Sequence, residues 1–179
     1  MRRALQFTSG GGTVYYTLDG TDPRGANGSV SASAESADNA SITSQTLYRS
    51  SNGVKVLIPN NGSIGSSWRN VSFNDTTWRS GNGGVGYDNN TTYDSLIEVD
   101  VDAQMDGVNT SAYVRCNFTA DSPSNYQGLT LRLRFEDGFI AYLNGEEVAR
   151  FNAPGSAVWN SEATGLHDDG AAQDYIDFD

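Results

Sequence analysis

The clearest alternation of apolar and polar positions in the chain falls in residues 129–151. The odd-numbered positions of residues 129–135 are Leu, Leu, Leu and Phe with polar neighbours, which is the period expected of a strand with one buried face. A turn at residues 136–138 leads to a second apolar run, and Asn144-Gly145 then supplies the pair favoured in a type I′ hairpin turn. The pattern predicts three consecutive antiparallel strands.

A sheet of this kind cannot bury its apolar face alone. Leu131, Leu133 and Phe135 are expected to share that face, so a second layer must come from other segments. Residues 13–18 and 54–59 have strand-like sequences that end at turn residues or at proline. Since the chain has 20 Gly and 9 Tyr and no long stretch of helical periodicity, we predict an all-β fold.

The segment between these strands has a different composition. Residues 25–46 contain almost no large apolar side chains, so they cannot bury enough surface to offset the entropy lost on ordering. We therefore predict a linker or a long surface loop there. The predicted organisation is a partial strand segment with a flexible linker over residues 1–46, followed by a β domain over residues 47–179.

The charge of the chain restricts its partners. Eleven basic against 22 acidic residues give a net charge of −11, which repels polyanions. Nucleic acid and anionic membranes are poor partners for such a surface, although an acidic surface is also an ordinary means of staying soluble. The sequence has no apolar run long enough to insert into a membrane and no signal peptide, so a secretion signal would lie outside this chain.

The single cysteine, Cys116, is predicted to be a buried and unreactive thiol. Ala112, Val114, Cys116 and Phe118 alternate with other residues and would share one strand face. Nine Asn-X-Ser/Thr acceptor sequences, one of them at Asn117 in this same strand, suggest a bacterial source that does not glycosylate them.

The first strand carries a resemblance to a known module. The sequence GGTVYYTLDGTDPRG, which covers residues 11–25, is similar to the signature of the chitobiase C-terminal-type immunoglobulin-like domain. That domain is an accessory module of secreted carbohydrate-active proteins. Because the match covers about one strand and a turn, it implies a remnant of such a module.

A second resemblance covers roughly residues 54–179. SSWRNVSFNDTTWRSGNGGVGYD, followed by AYVRCNFTA and FEDGFIAYLNGEEVARFNAP, is similar to a galactose-binding-like jelly-roll module of large secreted planctomycete and verrucomicrobial proteins. The resemblance implies an extracellular antiparallel β-sandwich of about eight strands. Modules of this kind continue with further strands beyond the segment that matches residues 174–179, so the resemblance implies that the last strands are lacking.

Aromatic residues are the first candidates for contact with a ligand, because an aromatic face stacks on the C–H face of a sugar ring. Trp68 and Trp78 flank Phe73 and are expected in the core. Trp159 lies in the loop at residues 152–160, where it could stack on a ligand or cover the edge of the core.

A polar loop provides further ligand candidates. Tyr87 and Tyr93 enclose a run of polar side chains, and Asn89 and Asn90 in that run could bind sugar hydroxyls. The alternative is a solvated turn.

Carboxylates gather at two places in the sequence. Asp100 and Asp102 alternate on one strand, and Asp168 and Asp169 are adjacent in a later loop. Calcium takes six to eight oxygen ligands, and jelly-roll sugar-binding modules often hold a structural Ca²⁺, so these four residues are the candidate ligands. The alternative is a solvated acidic face without metal.

No catalytic residue is assigned. His167 is the only histidine, and the sequence shows no nucleophile elbow beside it. A pair of carboxylates at glycosidase spacing can arise by chance in any acidic β domain.

The sequence therefore favours a non-catalytic carbohydrate-binding module that binds a polysaccharide or oligosaccharide. The alternatives are a small glycan- or ester-hydrolysing enzyme and a structural spacer or adhesion domain without ligand. If the last strands are lacking, an exposed edge would form a strand-swapped homodimer or recruit residues 13–18 as a substitute strand.

Overall fold

The computed structural model describes residues 13–36 and 44–179. The chain divides into two compact units with the boundary between Thr46 and Leu47, and each unit is described by itself. In the first unit, β1 (Tyr15–Tyr16) pairs with β2 (Glu35–Ser36) in an antiparallel sheet.

The strand predicted over residues 13–18 is reduced to the two residues of β1, which pair with β2. The use of residues 13–18 as a substitute strand for the β domain stays a prediction. Residues 25–46, expected to be a linker, contain β2 and a 3-10 turn at Ala26–Gly28. Residues 37–43 of that segment lie outside the described part of the chain.

The second unit is built mainly of short strands. They are β3 (Val54–Leu57), β4 (Arg79–Gly81), β5 (Gly84–Gly86), β6 (Ile97–Asp100), β7 (Tyr113–Arg115), β8 (Leu131–Leu133), β9 (Phe139–Leu143), β10 (Glu146–Phe151) and β11 (Ile176–Phe178). One α-helical turn, α1 (Asp102–Met105), and 3-10 turns at Ser50–Asn52, Ser67–Arg69, Pro123–Asn125 and Ala171–Gln173 complete the described elements. The fold is β-rich with several antiparallel sheets, which confirms the coarse part of the predicted fold class.

The strongest sequence pattern is confirmed in part. β9 and β10 form the predicted antiparallel hairpin, and the turn residues Asn144 and Gly145 have φ values of 53° and 95°, the left-handed conformation that a type I′ turn requires. The predicted pairing of β8 with β9 was wrong, because β8 pairs with β11 near the end of the sequence. The segment at which the family resemblance stops is therefore itself a paired strand.

The hydrophobic core lies on one face of the sheet β4-β3-β7. Val54 and Val56 alternate with Lys55 on β3 and are buried against Val99 and Val101. Gly81 on β4 lies so close to Val99 that an added Cβ would overlap its Cγ2 atom, so the two strands approach only because this residue has no side chain.

Aromatic rings pack outside this valine core in two groups. Trp78 is buried and Trp68 is half-buried, and Trp68 stacks on Tyr113 of β7 with 4.4 Å between ring centroids. In the second group, Phe135 and Phe178 contact the cross-strand pair Phe139–Phe151 of the hairpin. The expected core position of the two tryptophans thus holds fully for Trp78.

Two predictions about buried faces need correction. Leu131, Leu133 and Phe135 share one side as predicted, but they are only half-buried because two-stranded sheets give them little cover. Cys116 is exposed, against expectation, because β7 is the edge of its sheet. Its thiol nevertheless lies beside the Tyr48 side chain, and this local burial raises the pKa of the thiol.

Candidate functional site

A shallow depression of about 720 Å³ lies on the surface of the second unit. Its lining comes from the end of the loop before β7 and from the long loop after β10. The lining residues are Thr110, Pro154, Asn160, Ser161, Glu162, Ala163 and Thr164. Hydroxyl, carboxamide and carboxylate groups thus surround an open surface on which hydrogen bonds to a polar ligand can form.

Hydrogen bonds hold the two sides of the depression together. The Thr110 hydroxyl donates to the carbonyl oxygen of Asn160 at 2.6 Å, and the Ser111 hydroxyl donates to that of Trp159. Within the loop, the Ser161 hydroxyl accepts from the backbone N–H of Val158 at 2.8 Å. The residues of the lining are therefore positioned by the fold before any ligand arrives, which lowers the entropy cost of binding.

Trp159 lies next to this depression but does not line it. Its indole packs over Gly62, where an added Cβ would come within 2.8 Å of the Cδ1 atom. The residue is half-buried, so a substantial part of the ring already has a protein partner. Its role as a stacking platform for a sugar stays a prediction, while its neighbour Asn160 contributes directly to the lining.

The predicted polar loop connects β5 to β6, which pair in parallel. Side chains of this loop hold its backbone in place. The Asp88 carboxylate accepts from the backbone N–H groups of Asn90 and Tyr93, and the Asn90 side-chain oxygen accepts from the backbone N–H of Thr92. These bonds lower the pKa of Asp88, because they favour the charged carboxylate. Asn89 and Asn90 are exposed, as a ligand contact requires.

The two tyrosines of this loop occupy different surroundings. The Tyr87 side chain packs against the valine core. The Tyr93 hydroxyl donates to the Glu136 carboxylate at 2.7 Å and to the carbonyl oxygen of Asp169 at 3.2 Å. The structure thus joins the β5–β6 loop to the turn before β9, an arrangement with no signal in the linear sequence.

Glu136 lies in a cluster of acidic groups. Burial raises the pKa of its carboxyl group, and the nearby charges of Asp137 and Asp169 raise it further, against the opposing effect of the Tyr93 hydroxyl. Burial and the bond to Glu136 likewise raise the pKa of Tyr93. A carboxyl group with a raised pKa can act as a general acid, so Glu136 is a candidate that the sequence did not single out.

Two of the four candidate calcium ligands, Asp100 and Asp168, use their carboxylates to bind nearby backbone N–H groups. The Asp100 carboxylate accepts from the N–H of Asp102 at the start of α1. The Asp168 carboxylate accepts from the N–H of Ala171 at the start of the last 3-10 turn. Within residues 13–36 and 44–179, no three His, Cys, Asp or Glu side chains are grouped closely enough to hold a metal ion. Calcium therefore stays a prediction of the resemblance.

His167 has a packing role. Its ring stacks on Phe135 with centroids 4.5 Å apart, and its Nδ1 lies 3.0 Å from the carbonyl oxygen of the same residue. Its backbone N–H donates to the Asp137 carboxylate. With Nδ1 engaged by a carbonyl and the ring covered by Phe135, the geometry does not show a histidine paired with a nucleophile.

Comparisons with known proteins add no identification. No family model matches the chain, no curated protein matches it, and no solved structure matches it. Among the residues that the structure describes, no helix combines the length and apolar character needed to cross a bilayer. The class that the observations define is a small β-rich domain.

Proposed function

We propose that the second unit is a non-catalytic carbohydrate-binding module of an extracellular protein, with a galactose-binding-like sandwich fold, and that it binds an oligosaccharide or polysaccharide. The observation that supports this proposal best is the open polar depression of about 720 Å³ beside Trp159. Its shape admits part of a glycan chain, whereas a small apolar ligand would need a more enclosed site.

The chemistry of the lining supports a sugar ligand. Asn160 and Glu162 are exposed and offer donor and acceptor atoms to hydroxyl groups, and Thr110 and Ser161 add their own hydroxyls. Pro154 gives a small rigid apolar surface against which the C–H face of a sugar can lie. Binding would rest on several hydrogen bonds of modest strength, so we expect weak affinity for short glycans.

The test is titration of the full chain with a panel of soluble glycans by calorimetry, together with affinity gels for polymers. Asn160→Ala and Glu162→Gln should each weaken binding about two- to tenfold, since one hydrogen bond contributes about 0.5–1.5 kcal/mol. Asn125→Ala is the matched control, because Asn125 is exposed on a 3-10 turn outside the depression. Absence of binding to every glycan, or equal losses in the control, would refute the proposal.

The second candidate is a glycan- or ester-hydrolysing enzyme, and the raised pKa of Glu136 is the observation that favours it. Turnover of a glycan or ester substrate that disappears in Glu136→Gln would establish this activity. We rank it second because the described concavities do not include Glu136 in their lining.

A further inference from the structure

A second concavity, of about 490 Å³, lies on the sheet β4-β3-β7 and shares no residue with the one beside Trp159. We call it the Lys55 depression. It is lined by Asn52, Gly53, Val54, Lys55, Ser80, Gly81, Asn82, Arg115 and Asn117. Three carboxamides and two cationic side chains meet there, and the lining contains no carboxylate.

Strand register explains why these groups converge. Lys55 lies on β3, the middle strand of this sheet. The residues directly opposite it are Ser80 on β4 and Arg115 on β7. Directly opposite residues of antiparallel strands share a face, so all three side chains stand on the face opposite the valine core. Ser80 and Arg115 are 25 and 60 residues from Lys55 in the sequence, so this arrangement could not be predicted from the linear chain.

The charge of Lys55 is not neutralised by the protein. The residue is half-buried, its ammonium group donates to the Ser80 hydroxyl at 2.7 Å, and no carboxylate of the described residues forms an ion pair with it. An ammonium group has three N–H donors, so at least one remains for a partner beyond Ser80.

The other charges near the depression do not change this picture. Arg115 is already paired with Asp75, with 2.8 Å between Nε and Oδ2, so this pair contributes little net charge. The Glu98 side chain lies over Gly83, beside the rim residue Asn82, but it does not line the depression. Lys55 is therefore the dominant charge in the concavity.

We propose that the Lys55 depression binds the anionic group of an acidic sugar. The Lys55 ammonium would pair with the carboxylate or sulfate, and the carboxamides of Asn52, Asn82 and Asn117 would bind the hydroxyl groups around it. Carboxamides offer both donors and acceptors, which suits hydroxyl partners, and the ammonium selects for the charge. The inference does not rest on the proposed function, because the two depressions are separate.

The net charge of the chain indicates how many negative charges the ligand can carry. A polymer with a charge on every sugar would be repelled by the acidic surface over about 8 Å, the screening length at physiological salt. A single charged residue or a chain end meets mainly the local field of Lys55. We therefore expect binding of short acidic sugars, and weaker binding of highly charged polymers at low salt.

Lys55 is the only lysine of the chain, so it can be observed directly. Reductive methylation with ¹³C-formaldehyde keeps the charge of the amine and gives one dimethyl-lysine resonance. The probes are sodium glucuronate, glucose 6-sulfate, glucose as the neutral match and sodium acetate as the simple anion. We expect a saturable shift of the Lys55 signal with glucuronate or the sulfated sugar, and none with glucose.

Variants test the same point on unlabelled protein by calorimetry. Lys55→Gln should weaken binding of the acidic sugar at least tenfold, whereas Lys55→Arg, which keeps the charge, should retain most of it. Arg134→Gln is the charge-matched control, because Arg134 is exposed and lies outside the depression. Circular dichroism checks the fold of each variant, and the comparison of sugars on the wild-type chain needs no variant.

The outcomes separate clearly. A preference for either acidic sugar over glucose and acetate supports the proposal, and the ratio between the two sugars identifies the anionic group. Equal shifts with glucose, an equal saturable shift with acetate, or undiminished binding by folded Lys55→Gln would each overturn it. Loss of neutral-glycan binding in Asn160→Ala would leave it unaffected, so this proposal and the proposed function can fail independently.

Discussion

The ion pair between Arg115 and Asp75 should be among the largest single side-chain contributions to the stability of the second unit. Only 9% of the Arg115 side chain and 14% of the Asp75 side chain are exposed. The guanidinium also donates to the carbonyl oxygens of Trp68 and Asn70, so it fixes the segment that carries the stacked tryptophan onto β7. We predict that Arg115→Met, which keeps an unbranched apolar stem but removes the guanidinium, strongly destabilises the unit.

The magnitude follows from what the substitution leaves behind. Asp75 would remain mostly buried without its cation, and the two carbonyl oxygens would lose their donor. Breaking a buried ion pair by removing one partner costs about 3–5 kcal/mol, and we expect the lower end because Asp75 keeps some exposure to water. With a urea dependence of about 2 kcal/mol/M, the unfolding midpoint should fall by about 1.5 M.

The chain contains a matched control of the same chemistry. Arg132 and Asp177 pair across β8 and β11 at 3.0 Å, but their side chains are 67% and 56% exposed. Arg132→Met should cost less than about 1 kcal/mol, since exposed pairs contribute little.

Urea unfolding followed by tryptophan fluorescence measures both variants, and the rings of Trp68 and Trp78 lie next to the perturbed segment. Equal losses in the two variants, or a loss below about 1 kcal/mol for Arg115→Met, would show that burial of this pair does not govern its contribution.

Three further predictions concern packing and protonation. Gly81→Ala should destabilise the unit by about 1–3 kcal/mol in the same assay, because its Cβ would overlap Val99. Gly128→Ala is the control and should have little effect, since the space around Gly128 is open; similar losses in the two variants would contradict this packing. Leu133→Ala should cost about 1–2 kcal/mol, less than for a fully buried leucine; a loss below about 0.5 kcal/mol would mean that its face is not packed. Because the pKa of Glu136 is raised in the folded state, that state binds the proton more tightly, and the contribution of Glu136 to stability falls as pH rises from the ordinary glutamate value through the raised one. Glu136→Gln should remove this fall from a series of melting temperatures against pH, and identical profiles for variant and wild type would refute the assignment.

Local pattern was sufficient for the features that depend on near neighbours. The hairpin of β9 and β10 was predicted because Asn144-Gly145 adopts the required left-handed conformation whatever else surrounds it. The strand at residues 54–57 and the burial of Trp78 followed from alternation and from the usual packing of large aromatics. The β-rich class followed from composition and from the absence of helical periodicity.

Strand pairing could not be predicted, because period-two alternation tells which side of a strand is apolar and not which strand lies beside it. β8 was expected beside β9, its neighbour in sequence, and pairs with β11 instead. The same limit applies to Cys116: its strand face was identified, but the edge position of β7 that leaves it exposed is a property of the assembled sheet.

The candidate sites depended on the same tertiary information. The sequence identified Trp159 and Tyr93 as aromatic residues in polar loops. Only the fold shows that Trp159 packs on Gly62 and that the Tyr93 hydroxyl donates a hydrogen bond to Glu136. Lys55 carried no signal in an alternating strand, where one charged residue ordinarily faces water. Its candidate role as an anion-binding residue follows from the neighbouring strands. They surround the ammonium group with hydroxyl and carboxamide groups, and the lining contains no carboxylate. Local chemistry thus determined which residues alternate and turn, whereas the long-range pairing of strands decided which side chains meet, because contacts between distant segments exist only in the folded chain.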